Sequence, residues 1–418
     1  DGGETDHDLQ VLGDEQAGAR HRHTGADQRT TSGSRASAGS AAGSRAASAF
    51  RTRPRSVGPG GPTGSPSAGR VPPPSSSEPT RHGVRGIDHH ATTSSAQRRA
   101  GSRADHVVVW ATLDKSLGRA AIKSFVVPMT TDGVTVARLE HKLGIKASPT
   151  AVLQLGDDGG AVGYLVGEES RGLEYMFIMM NAARYAVGVQ GIAIAERAYQ
   201  QALAYAGERV QGRPVDGSMT ASAPVIHHPD VRRMLMTMRA YTQACRAMAA
   251  VAAAAYDVAH HHPDAEQRLH NKCFYEFLVP LVKGYSTEMS LEVTSLGVQV
   301  HGGMGFIEET GAAQYYRDAR ILPIYEGTTA IQANDLVGRK TVRDEGQVAR
   351  AIAARIAKTE GELAERVNST AARVMLRRLG AARQAFEQVI DFVIENARAR
   401  PNDIYAGSVP YLMLAANV

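Results

Sequence analysis

Residues 299–332 read QVHGGMGFIEETGAAQYYRDARILPIYEGTTAIQ. Near the end of this stretch one acidic side chain, Glu326, follows Pro323, Ile324 and Tyr325 and precedes Gly327, just ahead of a helical pattern opened by Thr328. Two readings stand side by side. A carboxylate at the start of a helix interacts favourably with the helix dipole. Apolar surroundings also disfavour the charged form of a carboxylate, which tunes such a group for proton abstraction. The turn Gly302-Gly303-Met304-Gly305 upstream either caps the preceding helix or lets backbone approach a flat or phosphorylated ligand. It is not a dinucleotide fingerprint, because it follows a helix rather than a strand.

Working outward, the flanking sequence is helical. Leu173–Val210 carries Phe177, Met180, Tyr185, Val189, Ile192, Ala195, Tyr199 and Leu203 at three- and four-residue spacing, with Gly188 and Gly191 allowing close packing. Residues 211–227 form a loop, and Pro229 and Asp230 suit the first turn of a second helix running to about His260. A third helix spans about Asp264 to Val300, with a kink expected at Pro280. Thr310–Ala319 and Thr328–Gly338 are shorter helices, so residues 169–340 form an up-and-down helical bundle. The extension 341–418 adds Gly346–Ala364, Ser369–Ala399 and an apolar Ser408–Val418, whose abrupt end implies that the natural chain continues.

Before the bundle, residues 105–168 read as antiparallel β: His106–Thr112, Ile122–Val127, Val134–Leu139, Ala151–Leu155 and Ala161–Val166, with Lys142–Thr150 continuing the pattern. So short a sheet is the back part of a larger β domain. The fold class is therefore mainly α with a partial antiparallel β domain. Residues 1–104 differ in kind, holding only eight residues from Val, Ile, Leu, Met, Phe, Trp and Tyr, and no Lys, Asn, Tyr or Met. Such a segment cannot bury enough apolar surface to fold and is expected to be disordered. Its wealth of Arg, Ala, Gly, Pro and Ser, with Asp rather than Met in front, fits a GC-rich gene read out of frame.

The net charge of +5 arises wholly in 1–104, which has 14 Arg against 9 acidic residues; residues 105–418 balance at 33 each. Nucleic-acid binding by the folded part is therefore not expected. Cys245 and Cys273 lack metal or redox spacing and are expected as buried free thiols in a reducing compartment. With no secretory signal, and with its longest apolar run, Ala247–Tyr256, too short to cross a bilayer, the chain is expected in the cytoplasm. Arg184, on an apolar helix surface, needs either an acid such as Glu174 or an anionic ligand. The runs His227-His228 and His260-His261-His262 read as solvated helix ends, and Met176, Met179, Met180, Met234, Met236 and Met238 as helix core.

The stretches EHKLGIKASPT (140–150), GYLVGEESRGLEYMFIMM (163–180), FYEFLVPLVK (274–283) and 299–338 together resemble the acyl-CoA dehydrogenase family, in the branch that includes 3-methylmercaptopropionyl-CoA dehydrogenase. The resemblance covers roughly three quarters of the chain and implies a helical N-terminal domain, a middle β domain and a C-terminal four-helix bundle. It implies FAD-dependent α,β-dehydrogenation of an acyl-CoA, short or medium fatty acyl or 3-methylmercaptopropionyl. Glu326 would be the base, with its own N–H and Gly327 on the substrate side and Asn181 and Arg184 facing the CoA chain. Thr328 and Gln332 would lie along the flavin's phosphate and adenosine side. Gln299, Gly302 and Gly303, with Arg209 at the pyrophosphate, would serve the neighbouring subunit's FAD, so a homodimer or homotetramer is implied, with electron-transfer flavoprotein as acceptor. Ala330 stands where relatives often have Gln and Gly212 where an aromatic is usual. Residues 1–104 lack the Thr-, Ser- and Trp-bearing strands that hold the flavin ring in relatives. The alternatives are a flavin-free helical oligomerisation fragment and an acyl-CoA oxidase.

Overall fold

The computed structural model describes residues 104–112, 121–156, 161–168 and 171–418, together with the strand 81–84 and positions 116 and 118. Every described residue belongs to one compact unit, 75–418. Apart from 81–84 and Ala104, the segment expected to be disordered or off-frame lies outside the described residues.

Six strands are described: β1 (Arg81–Val84), β2 (His106–Thr112), β3 (Ile122–Pro128), β4 (Val134–Leu139), β5 (Ala151–Leu155) and β6 (Ala161–Leu165). Four of them form an antiparallel sheet in the order β1-β6-β3-β2, and β4 pairs with β5 separately. β2 and β3 run in register from His106 opposite Pro128 to Thr112 opposite Ile122. Their two-residue alternation turns Val107, Val109 and Ala111 towards Phe125 and Val127, where Leu153, Leu155 and Leu165 also pack. β1 extends this sheet from within 1–104, where no element was expected. Residues 142–150, expected to continue the β pattern, contain no strand. Instead the segment turns onto the helices, where the Ile145 N–H donates to Asp318 Oδ1 at 2.6 Å.

The helices are α1 (Gly172–Glu208), α2 (Pro229–His261), α3 (Ala265–His301), α4 (Ala312–Ala319), α5 (Thr329–Val337), α6 (Gln347–Ala364), α7 (Thr370–Asn396), α8 (Pro401–Ala406) and α9 (Ser408–Asn417). A π-helical turn, Gly338–Val342, follows α5. Pro280 lies inside the single helix α3. α1, α2 and α3 form the trunk. Of the apolar set expected from spacing on α1, Ile192 and Ala195 are buried, but much of the rest is not. Phe177, Val189 and Leu203 are exposed, while Gly188, Gly191, Ala195, Ala198, Ala202 and Ala206 are buried. A Cβ on Gly188 would sit 2.6 Å from the Val282 carbonyl oxygen, and one on Gly191 2.9 Å from that of Ser286, so small residues let the two backbones meet. By length and apolar composition α1 would suffice to cross a bilayer, a property that core helices share. In this structure it runs along α2 and α3.

Among the methionines, Met234 and Met238 are core while Met236 is exposed. Cys245 is buried, but Cys273 is exposed, because its position on α3 precedes the buried run that starts at Phe277. The extension does not form a core of its own. Phe386, Ile390 and Leu412 share one hydrophobic cluster with Phe277, Leu281 and Leu336. The last helix is fixed there by Tyr285 Oη donating to Asn417 Oδ1 at 2.7 Å and Ser408 Oγ donating to Asn334 Oδ1 at 2.9 Å.

Candidate active site

The loop between α4 and α5 carries Glu326. Leu322 and Tyr325 anchor it against Val187 of α1, and Tyr325 Oη donates to Gln190 Oε1. Glu326 itself is 4% exposed and has φ +55°, followed by Gly327 at +91°. A left-handed non-glycine residue costs about 1–3 kcal/mol and persists only where its surroundings over-determine it. Here they do. Gln332 Nε2 donates to the carbonyls of Glu326 and Gly327 at 3.3 and 3.4 Å, and Lys283 Nζ donates to the Gly327 carbonyl. Thr329 adds a bond from its N–H to the Pro323 carbonyl at 3.0 Å and one from Oγ1 to Glu288 Oε1 at 2.5 Å. Thr328 caps α5, its Oγ1 accepting from the Ile331 N–H at 3.3 Å.

The surroundings of Glu326 are thus not purely apolar. Arg184, on α1, is buried and its Nη1 lies 3.3 Å from Asp335 Oδ2 on α5. Glu174, the acid named as one candidate partner, pairs instead with Arg171 at the helix start, and another acid, Asp335, takes that place. Burial pushes the pKa of Arg184 down, while Asp335 and Glu326 counter by holding its proton and Arg339 adds to the fall. Lys283 is fully buried in the middle of α3. Burial lowers its pKa to about 8, Glu288 and Glu326 oppose the fall, and Arg184 reinforces it. One buried carboxylate therefore sits in the field of two buried cations.

The other residues named from sequence separate into two groups. Asn181, on the exposed side of α1, lies one turn before Arg184. Gln332 is fully buried with its amide nitrogen engaged at the turn, so it serves the Glu326 loop, and its Oε1 has no hydrogen-bond partner among the described residues. Gln299, Gly302 and Gly303 lie elsewhere. Gln299 is 16 residues beyond Lys283 on the same helix, or about 24 Å along the axis at 1.5 Å per residue. That end of the bundle also holds Arg209, because Tyr205 and His301 stack there with ring centroids 4.5 Å apart. Arg209 is exposed, and its Nη2 reaches Gln211 Oε1 at 3.4 Å. A Cβ added at Gly302 or Gly303 would meet nothing within 4 Å. Around them Phe306 is 87% exposed, and Met304 and Ile307 are exposed too. The histidine runs gather no metal-ligand group among the described residues.

Sequence reasoning missed Lys283, Asp335, Glu288 and Thr329. The signal for Lys283 was present in FLVPLVKGY, a lone cation in an apolar helical run, the same pattern that singled out Arg184.

The family profile described as acyl-CoA dehydrogenase, C-terminal domain, matches residues 170–340. The chain is 56% identical over 323 residues to 3-methylmercaptopropionyl-CoA dehydrogenase of Ruegeria pomeroyi, covering 75% of this chain and 54% of that relative. It is 39% identical over 252 residues to the broad-specificity linear acyl-CoA dehydrogenase of Mycobacterium tuberculosis, covering 58% and 40%. The chain thus spans about half the length of the curated relatives it matches. Among solved structures, that of Caenorhabditis elegans ACDH-11 in complex with C11-CoA shares the fold, with a TM-score of 0.55 at 19% identity over 74% of this chain and 55% of that one. With a matching domain profile over the whole helical trunk and a relative identical at more than half of the aligned positions, the chain belongs to the acyl-CoA dehydrogenase family.

Proposed function

We propose that the protein catalyses α,β-dehydrogenation of an acyl-CoA thioester, with FAD as cofactor and Glu326 as the base. The observation that carries this reading is the buried Glu326 carboxylate, locked in a left-handed turn by Gln332 and Lys283. A hydrogen on the carbon next to a thioester is weakly acidic, so its removal needs a fixed carboxylate away from competing water. Glu326 takes that proton while its backbone N–H polarises the thioester carbonyl. Bound FAD supplies the acceptor for the β-hydrogen with its electron pair, leaving a double bond between the two carbons.

The residues present fit an anionic cofactor at the far end of the trunk. An exposed arginine, Arg209, lies at the same end as two glycines whose α-carbons face open space. Arg209, Gln299, Gly302 and Gly303 would hold the phosphate-bearing part, and Thr328 would contribute near the base. The separation of about 24 Å between this end and Lys283 favours a cofactor shared between two subunits, hence a homodimer or homotetramer. Exposed Phe306, Met304 and Ile307 suit the contact such sharing requires. The substrate is a short or linear acyl-CoA, with 3-methylmercaptopropionyl-CoA the first to assay, and electron-transfer flavoprotein is the acceptor. The buried Arg184–Asp335 pair gives Arg184 a structural partner, and Asn181 and Gly327 complete the substrate side.

The test uses the purified chain incubated with FAD. Flavin absorbance that survives gel filtration, bleached by acyl-CoA in the wild type but not in E326Q, is the expected result. A protein that stays colourless makes this chain a flavin-free helical assembly, and bleaching of E326Q refutes the base.

A further inference from the structure

Two successive left-handed residues, Glu326 and Gly327, turn their carbonyls into the protein, where unpaired backbone oxygens would be costly. The Gly327 oxygen is met by Lys283, which arrives from the middle of α3. Every residue from Phe277 to Thr287 is buried there. A methionine or leucine would fill the position without the cost of removing an ammonium group from water. What Lys283 offers in exchange is a donor long enough to reach across to the loop and a charge. The charged groups that face it are Glu288 on its own helix, Arg184 on α1 and Glu326. α9, packed on the same stretch, places Leu412 beside Gly284 and Asn417 at the Tyr285 hydroxyl.

We propose that Lys283 is a positioning residue: by holding the Gly327 carbonyl it fixes the turn that aims the Glu326 carboxylate. The inference rests on the reading of Glu326 as base. Lys283 reaches the reaction through the turn, sharing the Gly327 carbonyl with Gln332, which also holds the Glu326 carbonyl. With Lys283 gone, the Gly327 carbonyl keeps only the longer bond from Gln332, at 3.4 Å, among the bonds described for it.

Two variants of the full chain test this. K283M removes donor and charge at similar volume; in K283Q the shorter side chain stops short of the Gly327 oxygen while keeping a polar group. In amide hydrogen exchange, peptides covering 321–331 are expected to exchange roughly tenfold faster in both variants, with peptides of α7 unchanged. In deuterated buffer, wash-out of the acyl-CoA α-proton at saturation should slow roughly tenfold to a hundredfold, with the half-saturating acyl-CoA concentration unchanged, since Lys283 does not bind substrate. Wild-type protection of 321–331 together with wild-type wash-out in either variant overturns the proposal. If K283M does not fold, K283Q decides alone. Absence of wash-out in the wild type refutes the base and leaves the exchange of 321–331 to judge Lys283.

Discussion

Lys283 also makes stability depend on pH in a direction opposite to that of a solvated, salt-bridged lysine. Its pKa falls from 10.5 to about 8 on folding, chiefly through burial. Below about pH 8 the ammonium is retained in both states and the whole cost of burying it is present; as pH rises towards 10.5 the folded state has released the proton while the unfolded state still holds it, so the cost is progressively relieved. Between about pH 7.5 and about pH 9.5 this relief amounts to about 2 kcal/mol. Other groups titrate in the same interval, but K283M shares them all. The quantity to measure is therefore the difference in unfolding free energy between wild type and K283M, from urea titrations at each pH. The wild type should gain about 2 kcal/mol on K283M across the interval, because only it carries the relieved charge. Parallel stability curves for the two proteins would mean that Lys283 titrates as a solvated lysine does, and the burial argument would be wrong.

Other outcomes follow from the same geometry. Gly327→Ala places a Cβ 2.7 Å from Gln332 Nε2 at φ +91°, and should lower stability by about 1–3 kcal/mol in urea titrations, with base function lost alongside. Gly188→Ala drives a methyl into the Val282 backbone, and a thermal melt should show a loss of about 1–3 kcal/mol from the spreading of α1 and α3. Asp335→Leu strands the buried Arg184 and should cost about 3 kcal/mol, with R184M/D335L recovering part of it in a double-mutant cycle. A thiol reagent at neutral pH should modify Cys273 alone, since Cys245 is buried and its pKa is pushed up to about 11; two fast-reacting thiols would contradict that.

Much of the fold was legible because its signals are local. His106–Thr112, Val134–Leu139 and Ala151–Leu155 coincide with their strands, and the helices between Pro229 and Asn396 lie within a few residues of their expected ends, whereas Pro401–Ala406 was not expected. Apolar spacing was only partly right at α1, where Ile192 and Ala195 are buried as expected but Gly and Ala make most of the contact. Close approach of α1 and α3 selects Gly and Ala for the contact and leaves Phe177 and Leu203 outside. The expected boundary at 340 fails to mark a break in the core, because the apolar character of Ser408–Val418 does not say what it packs on. At the candidate site, the sheltered setting of Glu326 was readable from Pro323, Tyr325 and Gly327 around it. Its supports were not: Lys283 and Glu288 lie some forty residues upstream and meet the loop only in three dimensions.

The distance along α3 between the Lys283 level and the open glycines at 302–303 has a genetic consequence if the cofactor is shared as proposed. A subunit whose Glu326 is disabled still presents intact glycines to its neighbour, and a subunit with bulky residues at 302 and 303 still owns a good base. Mixing two such dead proteins as randomly re-formed dimers should rebuild one competent site in each heterodimer, restoring about a quarter of the sites. Two separate loss-of-function alleles of this gene would then complement one another, while two alleles damaged at the same end would not.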